Sequence, residues 1–559
     1  MHDSSKVNFV LERHIGPLNP PIINGLWGFQ FSSPSFPLPQ IKAFPKFPSL
    51  FHLSLTPTLS HFQAPMEKPL IPKCSQDLWF GILISFLFCF VFLSFDYSTF
   101  WGVNNGASLL VNKQNHPVGF VKNQTVLSTT HLIPDSCSGR YVYIHDDLPS
   151  KFNSDLLNNC KLLTRGTDKP NLCPYFENWG FGPAIENTEG VLANTSWFST
   201  NQFTLEVIFH NKMKQYKCLT KNSTLASAIY VPFYAGLDAS LHLWDSNLTV
   251  RDASARDLND WLSKRPEWKT MWGRDHFLVG GRISWDFRRQ TDEISDWGSK
   301  LRFLPESLNM SMLSVEGSSW RNDYAIPYPT NFHPAKDSDV VQWQNRMRKL
   351  ERPHFFTFVG APRPDQQNSI RGKIIDQCLA SSVGKLVDCS SGGIKCDNPA
   401  SVMRVFQSSV YCLQPTGDSY TRKSAFDSIL AGCIPVFFHP GTAYSQYLWH
   451  LPKNHTKYSV FIPVRYVEDL KEGLIEKTLV GISKEKELEM REEVIRLIPK
   501  LVYADPMSRL ETEDAFDLSV KGILETIENV RKTIREGRDP SIGFADEDSY
   551  KYTFPKTLE

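Results

Sequence analysis

The stretch Val410–Phe438, VYCLQPTGDSYTRKSAFDSILAGCIPVFF, determines the fold class. The apolar run Val410–Leu413 predicts a strand, and a loop rich in Gly, Asp, Ser and Thr follows it. A helix is predicted to begin near Arg422, and the apolar run Cys433–Phe438 predicts a second strand. Strand, loop, helix and strand in this order form one unit of an open α/β sheet, whose ligands bind at the carboxyl ends of the strands.

The loop at that edge is rich in groups that bind anions. Backbone N–H groups, hydroxyls and two cations converge at the start of a helix, which favours a diphosphate ligand. The segment has neither G-x-x-x-x-G-K-[ST] nor G-x-G-x-x-G, so a P-loop ATPase and a nicotinamide-binding fold are not supported, and a nucleotide sugar fits better. The loop residues are Thr416, Gly417, Asp418, Ser419, Tyr420 and Thr421, followed by Arg422 and Lys423.

Six segments carry a family resemblance. In this order they resemble the exostosin-like glycosyltransferases, and in particular the plant branch that includes the xyloglucan galactosyltransferases. The resemblance implies a GT-B architecture, in which two Rossmann-like lobes face each other across a cleft. It is much less specific for the sugar transferred than for the family. The segments are YVYIHDDLPSKFN (Tyr141–Asn153), NLCPYFENWGFGP (Asn171–Pro183), WGRDHFLVGGRISWDF (Trp272–Phe287), NDYAIPYPTNFHP (Asn322–Pro334), HFFTFVGAPRP (His354–Pro364) and SYTRKSAFDSILAGCIPVFF (Ser419–Phe438).

Length and charge restrict the class of protein. A chain of 559 residues exceeds what one hydrophobic core usually organises, so at least two domains are expected. The formal net charge is +1 and no basic stripe is interleaved with aromatic residues, which gives no support for nucleic-acid binding. Alternating strands and helices predict an N-terminal, acceptor-binding lobe over residues 137–340 and a nucleotide-sugar-binding lobe over 341–535. The helices of residues 484–535 are expected to pack across both lobes, and 536–559 form a tail.

The N-terminal region predicts a membrane anchor. Residues 1–77 are interpreted as a cytosolic, largely disordered segment, in which Met66 is an alternative start of translation. The run Leu78–Phe95 has about 18 residues without a charge, which predicts a transmembrane helix. Lys68 and Lys73 before it place the bulk of the chain in the lumen, as a type II protein of the Golgi membrane with a stem over 96–136. A cleaved signal peptide and a buried core helix are the alternatives.

Glycosylation sequons and cysteines agree with a lumenal location. All six N-x-[ST] sequons follow the apolar run, as do nine of the eleven cysteines. Cys389 and Cys396 are predicted to pair. Two more bridges are expected among Cys137, Cys160, Cys173 and Cys218, with three connectivities open. The sequons are at Asn123, Asn194, Asn222, Asn247, Asn309 and Asn454.

Several residues of the second lobe are candidates for the nucleotide sugar. A cation disfavours a helix N-terminus unless an anion is nearby, which favours Arg422 as a diphosphate ligand; Lys423 and Arg363 are further candidates. An exposed surface position is the alternative for these basic residues. The resemblance implies that Asp427 accepts hydrogen bonds from the ribose, where the family commonly has Glu; the alternative is a capping box with Ser424. Gly417, Asp418 and Ser419 are assigned to the same site.

The first lobe is expected to supply a general base that removes the proton of the acceptor hydroxyl. Asp275 and His276, in the segment GRDHF, and Asp238, after the predicted strand ending at Phe233, are the candidates. A structural ion pair of Asp275 with Arg274 and a buried histidine are the alternatives.

Trp179, Trp272 and Trp285 are predicted to bind the acceptor, because flat apolar rings stack on sugar rings, although most tryptophans belong to the core.

The motif Asp337-Ser338-Asp339 follows no predicted strand and is interpreted as a solvated turn or a helix N-cap rather than a metal site. No cofactor is expected, because cationic side chains and a helix dipole can stabilise the diphosphate without a metal ion.

The resemblance implies an inverting transfer of β-galactose from UDP-galactose to xylosyl side chains of xyloglucan, in complexes with other wall glycosyltransferases or alone. Another UDP-sugar, such as that of galacturonic acid or arabinose, and another wall glycan remain open. An inactive Golgi scaffold that binds glycans is the alternative from a different class.

Overall fold

Ten parallel strands form two five-stranded sheets, one in each lobe. The computed structural model describes residues 135–540 except 164–170, 188, 243–246, 365–368, 391–395, 397, 469–472 and 509. Two parallel sheets joined by helices confirm the predicted α/β class. The predicted transmembrane segment 78–95 and the end of the tail lie outside the described residues, within which no helix is long and apolar enough to span a bilayer.

The strands of the first sheet lie side by side in chain order: β1 (Tyr141–Ile144), β2 (Ala226–Tyr230), β3 (His276–Gly280), β4 (Ser311–Ser314) and β5 (Asp323–Ala325). Successive side chains of a strand point to opposite faces of the sheet. Phe277 and Val279 of β3 therefore belong to one core with Phe209, whereas Leu278 belongs to another with Leu258. Both faces of this sheet are buried.

Helices connect these strands and cover the sheet. The side chain of Asn247 caps one of them by accepting a hydrogen bond from the Thr249 N–H, which is a common start for a helix. The helices are α1 (Ser154–Asn158), α2 (Leu205–Lys214), α3 (Ala235–His242), α4 (Leu248–Ser263) and α5 (Pro266–Met271).

The second sheet has strands β6 (His354–Gly360), β7 (Gly384–Asp388), β8 (Ser409–Gln414), β9 (Ile434–Phe437) and β10 (Val460–Phe461), in the order β10-β9-β8-β6-β7. The chain moves from β6 to β7 on one side and then returns to β8 on the other side. Such a reversal opens a crevice at the carboxyl ends of the two strands that flank it. The loops after β6 and β8 therefore form the expected ligand site.

The first helix after the first sheet begins at Asp337, four residues before the predicted start of the second lobe at residue 341. The helices of the second lobe are α6 (Asp337–Lys349), α7 (Arg371–Ala380), α8 (Pro399–Gln407), α9 (Lys423–Leu430), α10 (Val464–Glu468), α11 (Leu474–Val480), α12 (Lys484–Leu501) and α13 (Ala515–Arg535). The last helix returns to the first lobe: Lys212 Nζ lies 2.8 Å from Asp514 Oδ2, and the rings of Phe209 and Phe516 are 4.8 Å apart. The prediction that the C-terminal helices pack across both lobes is confirmed.

Four disulfides join described cysteines: Cys137–Cys218, Cys160–Cys173, Cys389–Cys396 and Cys412–Cys433. The predicted Cys389–Cys396 pair is confirmed, and the structure selects one of the three connectivities left open for the first lobe. The bridge Cys412–Cys433 was not predicted, and it joins β8 to the residue just before β9. Cys378 is buried with a free thiol.

Candidate active site

The loop after β8, residues 415–422, is held in shape by its own residues and is called the donor loop below. The Gly417 N–H donates to the Ser419 carbonyl oxygen over 3.0 Å. The Arg422 guanidinium lies directly against Gly417, where a Cβ atom would come within 0.7 Å of Nη2. Arg422 is also the N-cap residue of α9 and makes no side-chain cap bond. Because Gly417 has no side chain, the Arg422 guanidinium can lie against it, at the N-terminus of α9.

Two arginines from other segments contact the donor loop, which itself contains Arg422 and Asp418. Arg371, at the start of α7, donates from Nε to the Thr416 carbonyl oxygen over 3.1 Å. Nη2 of Arg363 lies 3.4 Å from Asp418 Oδ1. Arg363, Arg371 and Arg422 are called the arginine cluster. The role of Arg371 was not predicted from the sequence, although a cation at the first position of a helix after a strand is the same signal that singled out Arg422.

The electrostatics of the arginine cluster favour an anion. Burial, together with Arg422 and Arg363, lowers the pKa of Arg371 to about 9. Burial also lowers the pKa of Arg422, against the effect of Asp418. Nε and Nη2 of Arg422 and Nε of Arg363 are buried and have no hydrogen-bond partner among the described residues. Since buried unpaired donors are costly, a diphosphate would satisfy both the donors and the excess positive charge.

Lys423 and Asp427 form an ion pair at the start of α9. Lys423 Nζ lies 2.9 Å from each carboxylate oxygen of Asp427 and 2.8 Å from Asn331 Oδ1 of the first lobe. The Ser424 hydroxyl donates instead to Gln414 Oε1, so the capping box considered from the sequence does not form. Burial raises the pKa of Asp427, and Lys423 opposes this rise.

The first lobe contributes a carboxylate to the donor loop. Glu316 follows β4, and its Oε2 accepts hydrogen bonds from the N–H and the hydroxyl of Thr421, each over 2.7 Å. Its Oε1 is buried and has no hydrogen-bond partner in the described part of the chain. Burial raises the pKa of the Glu316 carboxyl, whereas the bonds from Thr421, the Ser419 hydroxyl and the charge of Arg422 oppose the rise. Glu316 was missed in the sequence because β4, the strand that it follows, was not predicted.

Further hydrogen bonds fix the two lobes to each other beside Glu316. The Gly317 N–H donates to Gln446 Oε1 over 3.0 Å, and Gln446 Nε2 donates back to the Gly317 carbonyl oxygen over 3.2 Å. The Tyr447 hydroxyl donates to the Val315 carbonyl oxygen over 2.7 Å. These bonds hold the residues that follow β4 in a fixed position against the second lobe.

The structure places Asp275 and His276 away from this contact, at the amino-terminal end of β3. His276 is fully buried, with Nδ1 2.8 Å from Asp275 Oδ1 and Nε2 3.4 Å from His145 Nε2. Asp275 Oδ2 lies 3.8 Å from Nη2 of Arg531 on α13. The donor loop meets the carboxyl-terminal edge of the sheet, so Asp275 and His276 are not brought together with that loop. Asp275 forms its ion pair with Arg531 rather than with Arg274.

The other predicted residues of the first lobe are spread over several elements. Asp238 lies buried in the first turn of α3, where burial raises its pKa to about 6 against a hydrogen bond from Ser254. Trp179 and Trp272 are 41% and 59% exposed, and Trp272 ends α5 on the amino-terminal side of β3. Half-buried Trp285 follows the carboxyl end of β3, on the same edge of the sheet as Glu316.

The two carboxylates of the Asp-Ser-Asp motif are occupied by donors from the protein. Asp337 Oδ2 accepts a hydrogen bond from the Glu511 N–H over 2.8 Å, and Asp339 Oδ2 accepts one from the Ser196 hydroxyl over 3.1 Å. Lys336, not an aspartate, is the N-cap residue of α6. The interpretation as a solvated turn or N-cap is therefore replaced by a role in joining distant segments. The described ranges contain no group of three or more His, Cys, Asp or Glu that suits a metal ion.

Two parallel-sheet lobes that meet at an arginine-lined loop are the arrangement of a glycosyltransferase with a nucleotide-sugar donor. Residues 136–477 match the Exostosin GT47 domain. The chain belongs to the exostosin GT47 family of glycosyltransferases, which confirms the resemblance drawn from its motifs.

Proteins of known name extend this comparison. The probable xyloglucan galactosyltransferase GT14 of Arabidopsis thaliana is 58% identical over 86% of this chain and 93% of that protein. The xyloglucan galactosyltransferase MUR3 of the same plant is 58% identical over 76% of this chain and 68% of that protein. The xyloglucan-specific galacturonosyltransferase 1 of Arabidopsis thaliana is 42% identical over 70% of this chain and 58% of that protein. Among solved structures, the match to the pneumococcal O-GlcNAc transferase GtfA in complex with UDP and GlcNAc covers 51% of this chain and 60% of the GtfA chain. The sequence identity is 10% and the TM-score is 0.23, so this likeness carries no argument.

Proposed function

We propose that this protein is an inverting GT-B enzyme that transfers β-galactose from UDP-galactose to xylosyl side chains of xyloglucan. The identity of 58% to a probable xyloglucan galactosyltransferase, over 93% of that relative's length, is the observation that carries the proposal. The 42% identity to a galacturonosyltransferase is lower, so a galacturonic acid donor is not favoured. A scaffold without activity is not favoured either, because the arginine cluster keeps unpaired buried donors.

In this proposal the arginine cluster binds the diphosphate of the donor. Arg422 supplies two unpaired buried N–H groups and Arg363 supplies one, while Arg371 fixes the donor loop through the Thr416 carbonyl oxygen. As the bond between the sugar and the diphosphate breaks, negative charge grows on the leaving oxygen. Donors held in place before the reaction stabilise that charge without reorganising. Asp427 binds the ribose, and Lys423 orients its carboxylate.

The decisive experiment offers the purified full-length protein UDP-galactose and xylosylated glucan oligosaccharides. Transfer of one hexose, with release of UDP and a β-linkage in the product, is the expected result. UDP-galacturonic acid and UDP-arabinose are the comparison donors. Preference for either of them would refute galactose as the sugar, UDP release without transfer would indicate hydrolysis alone, and absence of UDP binding would favour the scaffold.

We also propose that the reaction needs no metal ion. The arginine cluster and the start of α9 supply the positive charge that a divalent cation supplies in other glycosyltransferases. Activity should therefore persist when EDTA is in excess over all divalent ions. Loss of activity in EDTA that returns with Mn²⁺ or Mg²⁺ would contradict this.

The cellular setting is part of the same proposal. The apolar run 78–95 anchors the protein in the Golgi membrane as a type II protein, with the two lobes in the lumen, where the polysaccharide acceptor and other wall glycosyltransferases are found. Of the five described sequon residues, Asn309 is half-buried, whereas the other four are exposed, which suits glycosylation in that compartment: Asn194, Asn222, Asn247 and Asn454.

A further inference from the structure

The Glu316 side chain has one satisfied and one unsatisfied oxygen. Oε2 accepts two hydrogen bonds from Thr421, and the Ser419 hydroxyl is near enough to lower the pKa of the carboxyl, whereas Oε1 is buried and has no hydrogen bond of ordinary geometry from the described residues. A buried carboxylate oxygen without a donor is costly and needs an explanation. The Thr421 contact alone does not provide one, because a neutral amide in place of the carboxylate would accept the same two bonds.

The backbone around Glu316 holds this carboxylate in a fixed position. The Glu316 carbonyl oxygen accepts hydrogen bonds from the Ser284 N–H over 2.9 Å and from the Ser314 hydroxyl over 2.7 Å. The next residue, Gly317, is bonded to Gln446 of the second lobe in both directions. Reacting groups require such support from a fixed surrounding shell.

The unpaired atoms at this contact between the lobes are of two complementary kinds. Glu316 Oε1 needs a hydrogen-bond donor, and Nε and Nη2 of Arg422 need acceptors. A sugar diphosphate together with an incoming hydroxyl provides both, since its phosphate oxygens accept hydrogen bonds and the hydroxyl donates one. A general base must lie within hydrogen-bond reach of the hydroxyl that attacks beside the leaving diphosphate.

We propose that Glu316 is the general base of the reaction. This inference rests on the proposed galactosyl transfer. The acceptor hydroxyl oxygen forms a bond to C1 of galactose while the bond from C1 to the β-phosphate oxygen breaks, and UDP leaves with that electron pair. The hydroxyl proton moves to Oε1 of Glu316, so the charges and atoms balance and no metal ion or further reactant takes part.

The charged and titratable groups around Glu316 determine its pH dependence. Arg422 of the donor loop is the cation nearby, and the phenols of Tyr328, Tyr420 and Tyr447 also face it. Burial raises the pKa of Glu316 above that of a free glutamate, which suits a base at the mildly acidic to neutral pH of the secretory lumen. Below this pKa the protonated carboxyl cannot accept the proton, and turnover should fall on the acid side.

The test is Glu316→Gln in the full-length protein. Glutamine has the same shape and its carbonyl oxygen still accepts both bonds from Thr421, so the contact between the lobes persists. We expect kcat to fall by about 10²–10⁴-fold, the usual contribution of a general base, with the Kd for UDP-galactose within about twofold. The acid limb of the pH profile should disappear. Thr421→Val, which removes the hydroxyl contacts with Glu316 and Tyr328 but keeps the backbone N–H bond to Glu316, should lose less activity and keep the acid limb.

Three results would overturn the assignment. Wild-type turnover in Glu316→Gln would exclude a general base at this position. A loss that falls on the affinity for UDP-galactose, relative to UDP, would make Glu316 a ligand of the donor sugar. An equal loss in Thr421→Val would make it a tether between the lobes. Glu525→Gln, an exposed glutamate on α13, is the control for the substitution itself. Absence of transfer by the wild-type protein would refute the proposed function and is thereby distinguished from failure of this inference.

Discussion

Replacement of Gly417 by alanine tests whether the Arg422 guanidinium is positioned for an anion. A Cβ at position 417 would lie 0.7 Å from Nη2 and 1.5 Å from Cζ of Arg422, so the two groups cannot coexist. Gly417 has no positive φ, and alanine is therefore unstrained in the backbone. The substitution acts by displacing one flexible side chain, not by deforming the loop.

The expected loss of activity follows from the distance that the Arg422 guanidinium must move. For the contact with the new methyl group to reach an ordinary 3.4 Å, Nη2 must move by about 2.7 Å. That distance is large enough to break a hydrogen bond between the guanidinium and a phosphate oxygen. Loss of one preorganised electrostatic contact costs about 2–4 kcal/mol of transition-state stabilisation, which corresponds to a roughly 30- to 900-fold fall in kcat/KM. The free energy of unfolding should change by less than about 1 kcal/mol, because only a side-chain end moves.

The assay is galactose transfer from UDP-galactose to xylosylated oligosaccharides, with calorimetry of UDP binding and urea unfolding on the same preparations. Gly372→Ala is the matched control, since no atom lies within 4 Å of its Cβ position and the residue lies in α7 beside Arg371. It should retain activity, with a change in stability of at most about 1 kcal/mol. Wild-type UDP affinity and turnover in Gly417→Ala would refute the role given to the Arg422 guanidinium. Unfolding of the variant would show instead that Gly417 supports the fold.

Three further outcomes are expected. In Asp427→Asn, UDP affinity should weaken by roughly 1–3 kcal/mol because a charged acceptor of the ribose hydroxyls is lost; unchanged calorimetric affinity in a folded variant would leave the ion pair with Lys423 as the only role of this carboxylate. Burial would raise the pKa of Asp323, but Arg288 and Arg302 hold it well below its usual value. The ionised Asp323 carboxylate therefore stabilises the fold above the pKa of an unfolded aspartate, and this stabilisation is lost as the pH falls toward the lower folded pKa. Asp323→Asn should lower the free energy of unfolding in urea by about 3–5 kcal/mol at neutral pH. Equal urea midpoints for the variant and the wild type would contradict this. In intact microsomes, protease should not digest the chain beyond residue 96, and a glycosidase should lower its apparent mass; digestion of the C-terminal region would overturn the type II orientation.

Local patterns in the sequence were sufficient to predict the strand, loop and helix around the donor loop. The predicted strand Val410–Leu413 is observed as Ser409–Gln414, and the helix expected near Arg422 begins at Lys423. Gly432 has a φ of 66°, as expected for a residue that ends a helix. Long apolar runs bounded by turn residues carry this information within a few neighbouring residues. The strand Ser311–Ser314, SMLS, was not predicted, because two of its four residues are small and polar and no apolar run marks it.

By itself, the sequence determined the family, the α/β class and the loop proposed to receive the donor, because each depends on residues close together in the chain. Only the tertiary structure decided which distant residues join that loop. Arg371 reaches Thr416 from another helix, and Glu316 reaches Thr421 across 105 positions. Asp275 and His276, which looked suitable in the sequence, lie at the amino end of their strand with Arg531. The physical reason is that the carboxyl ends of parallel strands lie at one edge of the sheet, where the ligand binds. A residue meets the ligand only if it follows its strand rather than precedes it, and this position is known only once every strand has been located.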